Sequence, residues 1–150
     1  MKKEDVVIGG LYCIKGRPSF YEIQTEADNS GQVEGILYTD NEMPVKTNIK
    51  ISELDLITIT EEMLHILSFT DIDGNLEGVP DAHYFELKTE SEPIRMIIAK
   101  GQFCYVQRMA NAILGCKYVA MPYLHQLQVL LAPFCSIDIQ KIIKHATPTT

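Results

Sequence analysis

His125 is the residue whose type most readily does chemistry, and it stands in the stretch YLHQLQVLLAPF, residues 123–134, close to Gln126 and Gln128. A histidine works as a general base only with a nucleophile in hydrogen-bond reach and a further group that orients its ring. The sequence has no GxSxG, no HExxH and no acid three or four residues after His125. Glutamines are weak in acid–base work and good at holding backbone groups. The role expected of His125, Gln126 and Gln128 is therefore structural, tying the helix to neighbouring backbone. His65 follows Glu61 by four residues, a spacing that makes a surface ion pair, while His83 and His145 are isolated.

Metal and phosphate chemistry find no local support. Cys13, Cys104, Cys116 and Cys135 include no CxxC pair and no histidine at zinc-finger spacing, so neither a metal nor a cofactor is expected. An even count allows disulfides. Without an apolar segment after Met1-Lys2-Lys3-Glu4-Asp5, however, reduced thiols in a bacterial cytoplasm are expected, mostly as small buried hydrophobes. The run DIDGNLEG from Asp71 to Gly78 looks like a calcium loop, but the positions that need Gly and Glu hold Leu76 and Ala82. A hairpin turn on Asp73-Gly74 is expected instead. Gly9-Gly10 precedes a strand pattern rather than a helix, and no GK[ST] occurs.

One constellation points to binding. Basic and aromatic residues interleave at Arg95, Lys100, Phe103, Tyr105, Arg108 and Lys117, continuing to Tyr118 and Tyr123. On strands, Phe103 and Tyr105 share a side. They would make a stacking platform with a positive rim, suited to single-stranded nucleic acid or a nucleotide-like small molecule. The same alternation equally allows both rings to point into a core.

These residues must be positioned by a chain of 150 residues, 46% hydrophobic and 22% charged, which is ordinary globular composition. Nineteen of the twenty acids lie in residues 1–92 against seven Lys and Arg, a net −12, whereas residues 93–150 carry one acid against six, a net +5. Such a split suits an anion-binding face or an acidic face for a basic partner; it also suits two halves attracting each other within one fold. Residues 118–137 lack Asp, Glu, Lys and Arg, but Pro122, His125, Gln126, Gln128 and Pro133 make them a buried helix with flanking turns, not a membrane span.

The turn clusters and periodicity predict short strands at 11–14, 20–24, 33–39, 45–51 and 54–59. A curled antiparallel sheet or a small SH3-like barrel is expected from them. Thr60 then caps a helix near 61–68, and a β-meander follows with strands at 83–87, 94–99 and 103–107. Residues 109–119 fit a short helix or another strand. Pro122 suits a first helical position for a helix over 122–132 whose stripe is Leu124, Leu127, Leu131 and Phe134, limited by Pro133. Ser136 caps a last short helix, although SIDIQ also fits a strand. The whole is a single α+β domain over 1–150, with a β-rich part at 1–59 and an α+β part at 60–150.

KYVAMPYLHQLQVLLAPF resembles the KYVHQLQNLYFAL segment of a family of small phage and prophage proteins of gut bacteria. VVIGGLY is similar to that family's opening RIGNLV strand, and ITITEEMLHILSF to its IPLTEEWLLKFGF helix, in the same order. The chain departs from the pattern at Met63, where the family has Trp, and at Val129, where it has Asn. Pro133-Phe134-Cys135-Ser136 stands where the family has TGEEL. The resemblance implies a bacterial, mobile-element setting and a compact α+β fold. It also implies a signature helix containing Tyr123, Leu124, His125, Gln126, Leu127, Gln128 and Leu131, and it carries over no catalytic residue. The expected function is a non-enzymatic accessory protein, cytoplasmic in the bacterial host, that acts by binding a protein; an anti-defence role fits that context. The alternative is nucleotide or single-stranded nucleic-acid binding at the basic, aromatic face.

Overall fold

The computed structural model describes residues 1–40, 42–72, 82–90, 93–99, 103–109, 116–135 and 137–145, with 103–109, 116–119 and 145 described by backbone alone. The fold is α+β, with two antiparallel five-stranded sheets and three α-helices among the described residues. The chain forms two compact units, Met1–Thr58 with Tyr123–Thr150, and Ile59–Pro122. The second is thus an insertion in the sequence of the first. The C-terminal segment belongs with the N-terminal sheet, a grouping that local periodicity cannot reveal.

The first unit opens on a 3-10 turn at Lys3–Asp5 and continues through β1 (Leu11–Ile14), β2 (Phe20–Ile23), β3 (Gln32–Tyr38), β4 (Val45–Lys50) and β5 (Leu54–Asp55). Their order is β4-β3-β2-β1-β5, so the meander curls until its last strand pairs with its first. β4 and β5 are linked by a 3-10 turn at Ile51–Glu53 and form no ladder with each other. Of the two arrangements expected, the curled sheet is the one formed, and no closed barrel. β5 stops at Asp55 because the chain then leaves the sheet: Thr58 bridges Tyr123, and the Leu124 N–H donates to the Ile57 carbonyl at 2.8 Å.

The core of this sheet is Tyr12, Ile14, Tyr21, Ile23, Val33 and Leu54. Burying a phenol requires partners for its hydroxyl. The Tyr21 hydroxyl meets the Thr47 carbonyl at 2.6 Å and the Val33 carbonyl at 3.2 Å. To arrive there the ring passes over Gly35, where a Cβ would sit 2.8 Å from the ring and inside the space of the Glu22 carbonyl. Gly35 is needed for this close approach, not for an unusual backbone angle. Burial, with a smaller contribution from Glu34, pushes the Tyr21 phenol up to about 12, so it remains a donor at any physiological pH.

In the second unit, α1 (Glu61–Ile66) begins at Thr60, whose hydroxyl accepts the Met63 N–H at 3.3 Å. It ends in a Schellman motif: Ser68 N–H to His65 carbonyl at 3.0 Å and Phe69 N–H to Leu64 carbonyl at 2.9 Å. Ser68 occupies the left-handed position, φ 72°, where glycine is favoured. The sheet is β6 (Thr70–Ile72), β7 (His83–Leu87), β8 (Ile94–Ala99), β9 (Phe103–Met109) and β10 (Cys116–Ala120), each pairing with the next. The meander therefore has two strands beyond the three expected. β6 is too short and too polar to show periodicity, and β10 makes 116–119 a strand, while 110–115 lie outside the described residues. The Asp73-Gly74 turn lies outside the described residues.

Two helices complete the first unit, α2 (Leu124–Leu131) and α3 (Ile139–His145). Pro122 is not a first helical residue: Tyr123 is the N-cap, and the Pro122 carbonyl instead accepts the Ile59 N–H at 2.9 Å. The cap expected at Ser136 lies outside the described residues, while Asp138 Oδ1 accepts the Lys141 N–H at 3.2 Å. No described helix is long and apolar enough to cross a membrane.

The charge split changes meaning in this division. Residues 1–58 hold ten acids and six Lys and Arg, and residues 123–150 one and two, a net −3. Residues 59–122 hold nine and five, a net −4. Neither unit is basic, and the apparent positive half is distributed between them.

Two substitutions test this description. Gly35→Ala is expected to lower stability by about 1–3 kcal/mol through overpacking against Tyr21 and the β2 backbone. Ser68→Gly is expected to raise it by about 0.5–1 kcal/mol by relieving the left-handed serine. Urea unfolding of each variant against wild type reads both.

Candidate functional site

The helix α2 presents Leu124, His125, Leu127 and Leu131 to the interior, all buried. His125 is not at the edge of the buried face, as the helical stripe suggests, but within it, 5% exposed. Its ring stacks on Tyr12 of β1, centroids 5.5 Å apart, and on Tyr123 at 6.0 Å. Among the described residues its Nδ1 has no hydrogen-bond partner. Burial holds the imidazole below its ordinary value of 6.5, with Asp5 acting weakly the other way, so the ring is neutral at pH 7. The neighbouring Tyr12 hydroxyl is already engaged, donating to the Asp5 carbonyl at 2.6 Å and accepting the Val7 N–H at 3.0 Å. Burial pushes this phenol up to about 12, so it stays protonated. It is an anchor for residues 5–7 and no nucleophile for His125.

Gln128, one turn on, joins α2 to the sheet. Its Oε1 accepts the Leu11 N–H at 2.8 Å and its Nε2 donates to the Gly9 carbonyl at 3.0 Å. Gln126 turns back on its own helix, where Oε1 accepts the Tyr123 N–H at 3.1 Å. These three polar side chains thus have distinct tasks: His125 packs, Gln126 caps and Gln128 clamps.

Beside the clamp lies a groove of about 670 Å³ formed by Val7, Ile8 and Gly9 on one wall and by α2 and the segment leading to α3 on the other. Val129, Ala132, Pro133, Phe134, Cys135, Ile137 and Ile139 line it with Gln128, and no lining residue is charged. Ile8 is 59% exposed, Val129 55% and Phe134 49%. Only two other large hydrophobic residues among the described ones, Met43 and Val45, are comparably exposed, so the exposed apolar surface concentrates here. Exposed apolar surface gathered in one concavity makes this groove the candidate binding site of the unit. Two other grooves of this unit, about 480 Å³ each, are lined instead by charges of both signs, Asp40, Glu42 and Asp138 with Lys141 in one, Lys15 and Arg17 with Glu53 in the other.

Residue type alone does not mark this groove. Val129 sits off the buried stripe, and Phe134, expected to extend that stripe, lies past the end of α2 and faces outward. Val129, Pro133, Phe134 and Cys135, four neighbours in sequence around the end of α2, all line the groove. Cys135 is exposed and Cys13 half-buried, against the expectation of buried thiols, and both are free. Burial, then the Asp55 carboxylate, raises the Cys13 thiol, whose Sγ lies 3.5 Å from the Asp55 carbonyl.

The basic, aromatic constellation is placed only in part. Arg95 is paired with Glu86 across the β7–β8 ladder, Nε to Oε2 at 3.0 Å. Phe103, Tyr105 and Arg108 belong to β9 and Lys117 to β10, where Lys117 pairs in register with Arg108. The side chains of those four and the whole of Lys100 lie outside the described residues. Glu61 does not pair with His65 along the helix. His65 instead meets Asp71 at 2.8 Å, and Glu61 meets His83 at 2.9 Å. No group of three His, Cys, Asp or Glu that could hold a metal ion occurs among the described residues. No family model matches the chain, nor does any curated protein or solved structure.

The clamp is open to a direct test. Gln128→Ala leaves the Leu11 N–H without its acceptor beneath the helix, and a loss of about 1–3 kcal/mol is expected. The same change at Gln126, whose bond is local to its own helix end, should cost at most about 1 kcal/mol. Equal losses in parallel urea titrations would contradict the assignment.

Proposed function

We propose that the protein is a non-enzymatic accessory protein of a phage or mobile element that works in the cytoplasm of its bacterial host by binding another protein. The observation that carries this reading is the uncharged groove in which Ile8, Val129 and Phe134 stand exposed together. A partner that fits it presents an apolar segment of its own. The Gln128 amide and the Gly9 backbone are already bonded within the fold, so apolar contact supplies the recognition. The mobile-element setting rests on the resemblance of the YLHQLQ helix and its two companion segments, and an anti-defence role is one use of such binding. The basic, aromatic face remains the alternative site, for a nucleotide or single-stranded nucleic acid.

The experiment compares the tagged wild type with a Val129→Lys, Phe134→Lys double variant in capture from host lysate. Both side chains are about half exposed, so the variant should fold, and lysine suits the end of a helix. A stoichiometric protein retained by wild type and reduced at least about tenfold by the variant is the expected result. Equal retention by both moves binding away from the groove. A ligand absorbing at 260 nm without a protein partner favours the nucleotide reading, and the absence of Trp makes that signal easy to see.

A further inference from the structure

The groove's two walls are held by one cluster, and that cluster contains a titratable ring. The Tyr12 hydroxyl fixes residues 5–7 through the Asp5 carbonyl and the Val7 N–H, placing the Val7–Gly9 wall. Gln128 fixes α2 to Gly9 and Leu11. His125 lies between these two anchors, one turn before Gln128 and stacked on the ring of Tyr12. Resting on the reading of this groove as the binding face, we propose that His125 is a proton latch: while its ring is neutral the walls are held, and protonation releases α2 from the 7–11 segment and dismantles the groove.

The physical reason is the setting of Nδ1. In the neutral ring Nδ1 can be the unprotonated nitrogen, which makes its lack of a buried partner tolerable. In the imidazolium both nitrogens carry N–H groups, so Nδ1–H would be a buried donor with nothing to receive it. The positive charge would also be taken from water. Against this act the Asp5 carboxylate, from the N-terminal turn, and the faces of Tyr12 and Tyr123, which attract a cation. Asp5 is the one charge acting on the ring among the described residues, and burial outweighs it. The folded ring is therefore harder to protonate than the free one, and opening returns it to its ordinary value of 6.5. Above that pH both forms are neutral and the latch is fully effective. As pH falls below it, the open form takes up the proton first, and the held form loses ground until the pH has passed its own lower value.

Amide hydrogen exchange reads the latch without any partner, so its outcome is independent of whether the groove binds a protein. Exchange is measured at pH 7.5 and 5.5, corrected for intrinsic chemistry, at the Val7 and Leu11 amides and at the amides of the β3–β4 ladder. For one proton titrating near 6.5 in the open form and lower in the held form, protection at Val7 and Leu11 should fall between the two conditions, by at most about tenfold. The β3–β4 ladder should keep its protection. In His125→Phe, which retains the stack, the pH dependence at Val7 and Leu11 should vanish; His125→Gln serves if that variant does not fold. A wild-type fall matched in the variants overturns the proposal, as does a fall shared equally by the ladder, which would be global unfolding. A His125 ring pKa of 6.5 or above by proton NMR would also overturn it.

Discussion

The seating of α2 on the sheet of the first unit depends on one amide. Gln128 bonds to Gly9 and Leu11, residues 119 and 117 positions away, and in doing so joins the two ends of a chain segment interrupted by the whole second unit. The backbone bond from Leu124 to Ile57 and the Thr58–Tyr123 bridge fix where the chain returns, but neither orients the helix about its axis. A glutamine does, because its donor and acceptor are fixed on one planar group. One face of α2 must meet the sheet for both bonds to form. That face brings Leu124, Leu127 and Leu131 inward and leaves Val129 outward. The groove is thus a consequence of the same orientation that completes the core.

The sheet beneath meets a complementary demand. A curled five-stranded meander has little interior, and its core relies on two tyrosines for volume. Each must then find partners for a hydroxyl at the rim of that interior. Tyr21 does so by crossing Gly35 to reach the carbonyls of β3 and β4, and Tyr12 by collecting the Asp5 and Val7 backbone. The second solution is the one with consequences outside the core, since it pins the N-terminal segment that forms one wall of the groove. Stability and surface are here set by the same hydroxyl.

How far the sequence exposes all this depends on the range of the interactions concerned. The first four strands and the α1 cap are local: Gly, Asn and Asp turns separate β-branched runs, and Thr60 announces the helix. They are legible for that reason. The grouping of α2 with β1 is set by Gln128, Leu124 and Thr58 acting over long separations, and a window of a dozen residues holds no trace of it. β6 and β10 fail differently. Thr70–Ile72 is three residues of mixed polarity, and Cys116–Ala120 has too little alternation to be separated from a helix turn. His125 shows the limit of periodicity most clearly: a polar residue next to an apolar stripe reads as an edge position, yet two aromatic rings can accommodate it inside. The groove was the least legible feature, because Ile8, Val129 and Phe134 are core-type residues whose exposure depends on where α2 comes to rest.

That exposure argues for use. A chain with twenty acids and a net charge of −7 has ample means to cover a helix end with charge. Instead the turn after α2 carries Pro133, Phe134 and Cys135, and the helix carries Val129 on its outward side. Each apolar residue left in water weakens solubility and contributes nothing to the core, so fold stability does not account for the four of them together. Placing them against a wall held by Tyr12, and on a helix oriented by Gln128, gives a partner a surface that is already ordered. Binding there would require little further immobilisation of the groove, which is the condition under which a small apolar contact yields useful affinity.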